Sequence, residues 1–388
     1  MRTGLRFLCA IFLLLWAFNI PYHNVSAMII NKQADKVFGQ PDFTSVNPDY
    51  LNVAAGVAFD SFGNLYVADM FNHRVVEYDA PLTSDTTIDR VFGGVDPHYY
   101  LNAWSLNYPA RVALDSQGNL YVSDYGNHRV LEYDSPLTTD TIADRVFGQP
   151  DFTSNVENNA GISASSLYRP QGLIVDFQGN LYVADSNNRV LVYNSPLTSD
   201  RLADRVLGQP NFVSGQANNG GVSASSLYTP SALALDGGGN LYVCDYNNHR
   251  VLRYDTPMIS DAISDQVFGQ PNFSSSASNN GGISATSLYH PFGVALDLQG
   301  SVYIVDQYNN RMLEYDHPLT SDTSADQIFG QPDFTSNANN NGGISSKSLS
   351  SPHDVAFDSK GNMAVADGNN RVLLYLVGQN VFLPLALR

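Results

Sequence analysis

Cysteine is almost missing from this chain. Among 388 residues there are two, Cys9 and Cys244. Cys9 sits in an N-terminal stretch with the marks of a secretory signal. Arg2 and Arg6 precede the apolar run Phe7 to Phe18, and Val25-Ser26-Ala27 offers a small-residue cleavage site. Cleavage there leaves Cys244 alone, which excludes an intramolecular disulfide. Long apolar runs are missing as well. Phe7 to Phe18 is short for a membrane span of ~20 residues, so a removed leader is expected and an uncleaved anchor is the alternative. Basic residues are few, 20 Lys and Arg against 37 Asp and Glu. Without Arg2 and Arg6 the balance is 18 against 37, or −19. Such acidity favours solubility and disfavours nucleic acid, whose phosphates need cationic partners. No apolar pattern is sustained at helical spacing.

What the chain does hold is a repeat. The stretch Gly56 to Asp79 contains the core D-x-x-G-N-L-Y-V-x-D, which begins at Asp60. The core returns at Asp115, Asp176 and Asp236, and in weaker form at Asp297 and Asp358. The intervals are 55, 61, 60, 61 and 61 residues. Six copies at a near-fixed period indicate a repeat architecture.

Each copy reads as an antiparallel meander. A short apolar run ends at Asp60, and Gly63-Asn64 suits a tight hairpin. Leu65 to Ala68 is a second strand, and Met70 to His73 a second turn. Arg74 to Tyr78 is a third strand. An acidic connector, Asp79 to Asp89, leads to a fourth at Arg90 to Gly93. Alternate residues are apolar on both faces, so each sheet needs cover on two sides. Four strands in six stacked repeats give an all-β, six-bladed β-propeller; no polar capping repeat supports an open solenoid. The phrase ADKVFGQPDF at 34–43 has no blade before it, and the sixth repeat stops at Tyr375 without a fourth strand. The two defects fit, so Lys36 to Gly39 is expected to complete the last blade and remove an exposed edge. The organisation expected is a leader at 1–27 and one propeller at 28–388, with blades starting near 55, 110, 171, 231, 292 and 353. The tail 378–388 is read as a possible extra edge strand. A lone Cys244 in Val-Cys-Asp replaces the Ala or Ser of sister copies and reads as core filler.

The phrases GVAFDSFGNLYVADMFNHRVVEYD, VALDSQGNLYVSDYGNHRVLEYD and ALALDGGGNLYVCDYNNHRVLRYD resemble the NHL repeat over residues 34 to 377. The resemblance implies a six-bladed propeller. It also implies several possible functions: protein-binding modules, RNA-binding modules, and metal-dependent lyases or hydrolases. Acidity opposes RNA. His73, His128 and His249 hold equivalent positions on different blades, whereas zinc ligands must converge within roughly 2.0–2.1 Å of one ion. Together with the Asp and Arg of the same motif, such as Asp69 and Arg74, they read as scaffold.

Function in a symmetric scaffold belongs where repeats differ. The long Asn/Gly/Ser connectors, such as 153–170, are one place, since loops of this length are usually functional or mobile. Glu157 is the only carboxylate in the four of them, which argues against calcium there. The acidic pairs Asp85/Asp89, Asp140/Asp144, Asp200/Asp204, Asp261/Asp265 and Asp322/Asp326 on the opposite face read as turn-bonded, solvated residues. The innermost-strand entries differ more sharply. Four before the core Asp stand Gly56, Arg111, Gly172, Ala232, Gly293 and Asp354. A channel-mouth site of Arg111, Gln171, His290, His353 and Asp354 is expected, with Arg111 reaching Asp354 across the rim to orient a small polar ligand. The functional expectation is a secreted or envelope-associated, monomeric scaffold binding a protein, peptide or glycan through its loop face. The alternative is a metal-dependent lyase or hydrolase at the channel mouth. No cofactor is identified.

Overall fold

The computed structural model describes residues 31–81, 86–94, 100–318 and 322–378. The leader, Asp85 and the tail from 379 onward lie outside the described residues.

The repeat motif folds locally for reasons visible in one copy. The Asp60 carboxylate accepts the Phe62 and Asn64 N–H groups at 2.9 and 2.8 Å and the Asn64 side-chain amide at 2.8 Å. Gly63 takes φ of 88°, which a Cβ would resist. This Asx-type turn joins β2, Ala54–Phe59, to β3, Leu65–Asp69. After a 3-10 turn come β4, Arg74–Tyr78, and β5, Arg90–Gly93. The order is β2-β3-β4-β5, antiparallel throughout. Five more sheets have the same four-strand form, which gives six blades among the described residues.

The innermost strands are Ala54–Phe59, Pro109–Leu114, Leu173–Val175, Pro230–Leu235, Pro291–Leu296 and Asp354–Phe357. Each contacts the next, and the last returns to the first, so the sheets form a ring. The sixth blade is completed by β1, Lys36–Phe38, in register Lys36↔Leu374, Val37↔Leu373 and Phe38↔Val372. The strand ends one residue earlier than the expected Gly39, which turns out of the sheet at φ 72°.

The core is a set of six apolar clusters, one between each pair of adjacent blades. Val67 and Val76 face blade 6 while Tyr66, Ala68 and Val75 face blade 2. Cys244 is fully buried in one such cluster, and burial pushes its thiol well up.

Candidate functional site

Each blade has two ends. Innermost-strand entries, Asn-x-Arg turns and inter-blade connectors share one, here the loop face. The D-x-x-G hairpins and acidic connectors share the other. On that second face the expected turn bonds are present. Asp144 accepts the Asp134 N–H at 2.8 Å and Asp140 accepts the Ile142 N–H at 2.8 Å, and sister pairs repeat this.

Around the axis on the loop face, blades 1, 3 and 5 carry Gly56, Gly172 and Gly293. Blades 2, 4 and 6 carry Arg111, Ala232 and Asp354. The alternation lets neighbouring backbones approach. A Cβ on Gly56 would lie 2.8 Å from the Arg111 Cα, and one on Gly293 would lie 2.9 Å from the Asp354 Cα. Arg111 extends across the axis. Its Nη1 donates to the carbonyls of Ala55 and Ala110, and its Nη2 to those of Phe292 at 2.7 Å and His353 at 3.0 Å. Its Nε lies 3.5 Å from an Asp354 oxygen, and the guanidinium stacks 4.8 Å over the Phe292 ring. Asp354 also accepts the Val57 N–H at 3.0 Å. Thus one side chain ties blades 1, 2, 5 and 6.

The structure therefore brings Arg111, His353 and Asp354 together, but as a buried plug rather than an open polar rim. Arg111 is 4% exposed. Its four terminal donors already meet main-chain carbonyls, while Arg111 Nε and His353 Nδ1 are buried with no hydrogen-bond partner among the described residues. Burial pushes the Asp354 carboxyl up against the pull of Arg111. Burial, then the Arg111 charge, push His353 down to about 4, so it is neutral near pH 7. Beneath the plug lies a channel of about 270 Å³ walled by Val57, Val112, Leu173, Leu233, Val294 and Val355. Gln171 and His290 are not members of this knot. Gln171 donates its N–H to Ala184 and accepts from Ser123 Oγ. His290 lies farther out, with ring centroids 4.3 Å from Tyr246, 4.3 Å from His249 and 4.6 Å from Tyr308.

The repeated histidines have a mechanical task. His73, His128 and His249 adopt left-handed φ, and Nδ1 of each accepts the N–H of Tyr108, Arg169 or His290 in the next blade. In the other blades Asn188, Asn310 and Asn370 accept the equivalent N–H through Oδ1. An acceptor on a left-handed residue is what the position needs, and His or Asn supplies it. Among the described residues no three His, Cys, Asp or Glu side chains cluster as a metal site.

The Asn/Gly loops are pinned as well. Asn158 and Asn187 exchange side-chain amide bonds at 2.8 and 3.3 Å, and three sister pairs do likewise. Below them the motif Arg of each blade pairs with its Asp, as Arg129 with Asp124 at 2.7 Å. Arg129 Nη1 also donates to the Phe152 carbonyl at 2.6 Å. Arg189, Arg250, Arg311 and Arg371 donate likewise to Phe212, Phe273, Phe334 and Phe43. Each of those Phe residues closes a Gly-Gln-Pro-Asp/Asn-Phe loop.

Blade 1 breaks the pattern. After Phe92 it reads Gly93-Gly94-Val95-Asp96-Pro97. Arg74 pairs with Asp69 at 2.7 Å and donates through Nη2 to Tyr50 at 2.7 Å, but its Nη1 has no loop carbonyl among the described residues. Its side chain is 23% exposed, against 0% for the other five. A cavity of about 370 Å³ opens there, lined by Asp49, Asn72, Arg74, Val91, Gly93 and Gly94. Tyr50 and Phe71, next in the chain to Asp49 and Asn72, are exposed, as are Trp104 and Tyr108 in the connector to blade 2. The Phe71 and Tyr108 rings meet edge to face at 5.7 Å. The signal for this site was the 55-residue first interval and the missing Gln-Pro-Asp-Phe.

Similarity to known proteins follows the fold. Over 168 residues the chain is 24% identical to Protein SUPPRESSOR OF QUENCHING 1, chloroplastic, of Arabidopsis thaliana. The match covers 40% of this chain and 14% of that protein's length. A solved virginiamycin B lyase from Staphylococcus aureus superposes with a TM-score of 0.50 at 14% identity, over 88% of this chain and 99% of that one. A chain of a Mitotic Checkpoint Complex structure superposes with a TM-score of 0.51 at 12% identity, over 98% and 99%. At such identities these likenesses show the fold alone. The NHL repeat model matches residues 106–133 and 227–254, in blades 2 and 4, and the chain is a six-bladed β-propeller carrying NHL repeats.

Proposed function

We propose that this protein is a protein-interaction scaffold that presents its loop face to a partner from an extracytoplasmic compartment, after removal of residues 1–27. The observation that carries this reading is the distribution of exposed aromatic rings. On the loop face they join aromatic groups: exposed Phe71 and Tyr108 meet each other and the half-buried His73, and exposed Tyr308 meets the half-buried His290, which stacks on Tyr246. Clustered exposed apolar surface rimmed by polar loops marks recognition surfaces. On the opposite face Phe62, Phe177, Leu202, Ile259, Ile263 and Leu298 are also exposed, but among the described residues neither aromatic ring there meets another ring. The bed beneath the loop face is stiff, since inter-blade His and Asn acceptors and Asn–Asn pairs fix it, so little ordering entropy opposes binding. Support for an extracytoplasmic setting comes from the leader-like N-terminus, the acidity and the single buried thiol.

Cross-linking in the native host with mature wild-type protein tests this. A triple variant F71A/W104A/Y108A should lose the cross-linked partner, while F62A/F177A/I259A should keep it. The reverse pattern would move the interface to the hairpin face and overturn the reading.

A further inference from the structure

We infer that the notch on blade 1 is a peptide-binding site whose occupant imitates the Gly-Gln-Pro-Asp-Phe loop that the other five blades supply for themselves. The inference rests on the scaffold reading and names the partner chemistry: an extended segment of another protein carrying a Phe or similar aromatic residue.

Two vacancies coincide at the notch. The first is polar. In blades 2 to 6 the motif Arg donates Nη1 to the carbonyl of the loop Phe, and in blade 1 that donor meets no carbonyl among the described residues and Arg74 lines a cavity. The second is apolar. Each loop Phe packs on the cluster between its own blade and the preceding one. Phe152 packs between blades 1 and 2, and Phe212, Phe273, Phe334 and Phe43 follow in turn. The cluster between blades 6 and 1 has no loop Phe among the described residues. Val91 at the rim is 39% exposed, where its sister Val146 is 1% exposed.

Both vacancies have one shape, because in the sister blades one residue fills both. A carbonyl bound to Arg74 and a phenyl ring lying on Val91 and the neighbouring cluster would come from a single peptide residue. The bond is charge-assisted, and the buried ring adds apolar contact. The polar edge is ready too: Asn72 and Asp49 line the notch, and Arg74 already holds the Tyr50 carbonyl at 2.7 Å. In the chain's own loops an Asp before Phe pre-forms the turn. Asp151 accepts the Thr153 N–H at 2.9 Å and the Ser154 hydroxyl at 2.9 Å. A peptide copied from this loop is therefore partly preorganised.

The test is titration of the mature protein with acetylated, amidated peptide Gly-Gln-Pro-Asp-Phe-Thr-Ser-Asn, the sequence of residues 148–155, read by anisotropy of a fluorophore at its C-terminus. Saturable binding is expected. Replacing the peptide Phe by Ala should weaken it about tenfold or more, as should V91E and R74Q in the protein. V91E fills the notch with a charge and leaves the Arg74–Asp69 pair intact, so it serves if R74Q fails to fold. No saturation up to millimolar peptide, or equal affinity for V91E and wild type, overturns the inference. A concentration-dependent dimer abolished by V91E would make a second copy the occupant and overturn it as well. If the peptide fails while the cross-linked partner survives in V91E but not in F71A/W104A/Y108A, the notch inference falls and the scaffold reading stands.

Discussion

Arg129 and Arg74 hold the same place in adjacent blades, and one loop separates their fates. Arg129 is enclosed by its own Asp, by the loop before its blade and by the loop after it. Arg74 has the first two partners and, among the described residues, no third. The comparison teaches that a repeated residue is scaffold when the chain supplies all of its partners, and becomes surface when one partner is deleted. Symmetry hides function in a propeller; a missing loop exposes it.

The largest way to break the contrast is to create a second vacancy. Deleting residues 28–43 removes β1 from blade 6, with the buried Phe38, and takes the Phe43 carbonyl from Arg371. Loss of Phe38 alone should cost about 3–5 kcal/mol, and the whole deletion on the order of 5 kcal/mol or more. Urea unfolding checks this, and a truncated protein with the wild-type midpoint would refute ring closure. Next, R129A leaves Asp124 buried and uncompensated, which should cost about 3–5 kcal/mol. R74A should cost less, about 1–3 kcal/mol, because water already reaches that pair. Equal costs would mean that the loop carbonyl contributes nothing.

Smaller effects sharpen the ring itself. G56A drives a Cβ to 2.8 Å from backbone atoms of blade 2 and should cost about 1–3 kcal/mol. G63A meets open space and carries only the strain of its φ of 88°, about 1 kcal/mol. The two thermal midpoints should rank in that order. The smallest effect is a slope. Burial, then His290, lower the His249 pKa from 6.5 to about 4 in the folded protein. The unfolded chain therefore takes the proton first, and this residue's contribution to stability is lost as pH falls from about 6.5 to about 4. The buried carboxyls act oppositely. Glu77 is raised to about 8, and Glu132 and Glu314 to about 7, so the folded state holds protons there that the unfolded state releases. Their contribution falls as pH rises from 4.5 through 7 to 8. H249N keeps the acceptor and removes the titration. Its stability relative to wild type should change only between pH 6.5 and 4, and a pH-independent difference would sink the assignment.

Much of this fold was legible because the motif residues act locally. Asp60, Gly63 and Asn64 build one turn, and Asp69 and Arg74 one pair, so each copy announces its own geometry. Closure by Lys36 to Phe38 was legible from two defects that fit. The plug was half legible. Arg111 and Asp354 stood out from their sisters, yet their burial depends on Gly56 and Gly293 drawing the blades together, which only the ring reveals. His290 was grouped with the channel mouth because it precedes the innermost strand of its blade, while its ring packs on Tyr246 and Tyr308. The long Asn/Gly loops read as functional or mobile by their length, and cross-loop amide pairs such as Asn218 with Asn248 pin them. The notch left its trace in a shortened interval, which is an absence and has no residue to draw the eye.

Restoring the missing loop is the most direct measurement. The triple change G94Q/V95P/P97F rebuilds Gly-Gln-Pro-Asp-Phe after Phe92, with residues 39–51 as precedent for the short return that follows. Gly94 now has φ of 81°, so the backbone must adopt the path of its sisters to accept Gln. If blade 1 is vacant where its sisters are filled, the urea midpoint of the mature protein should rise by the equivalent of about 1–3 kcal/mol for the buried Phe, and the loop peptide should no longer bind. An unchanged or lower midpoint with peptide affinity intact would contradict the account.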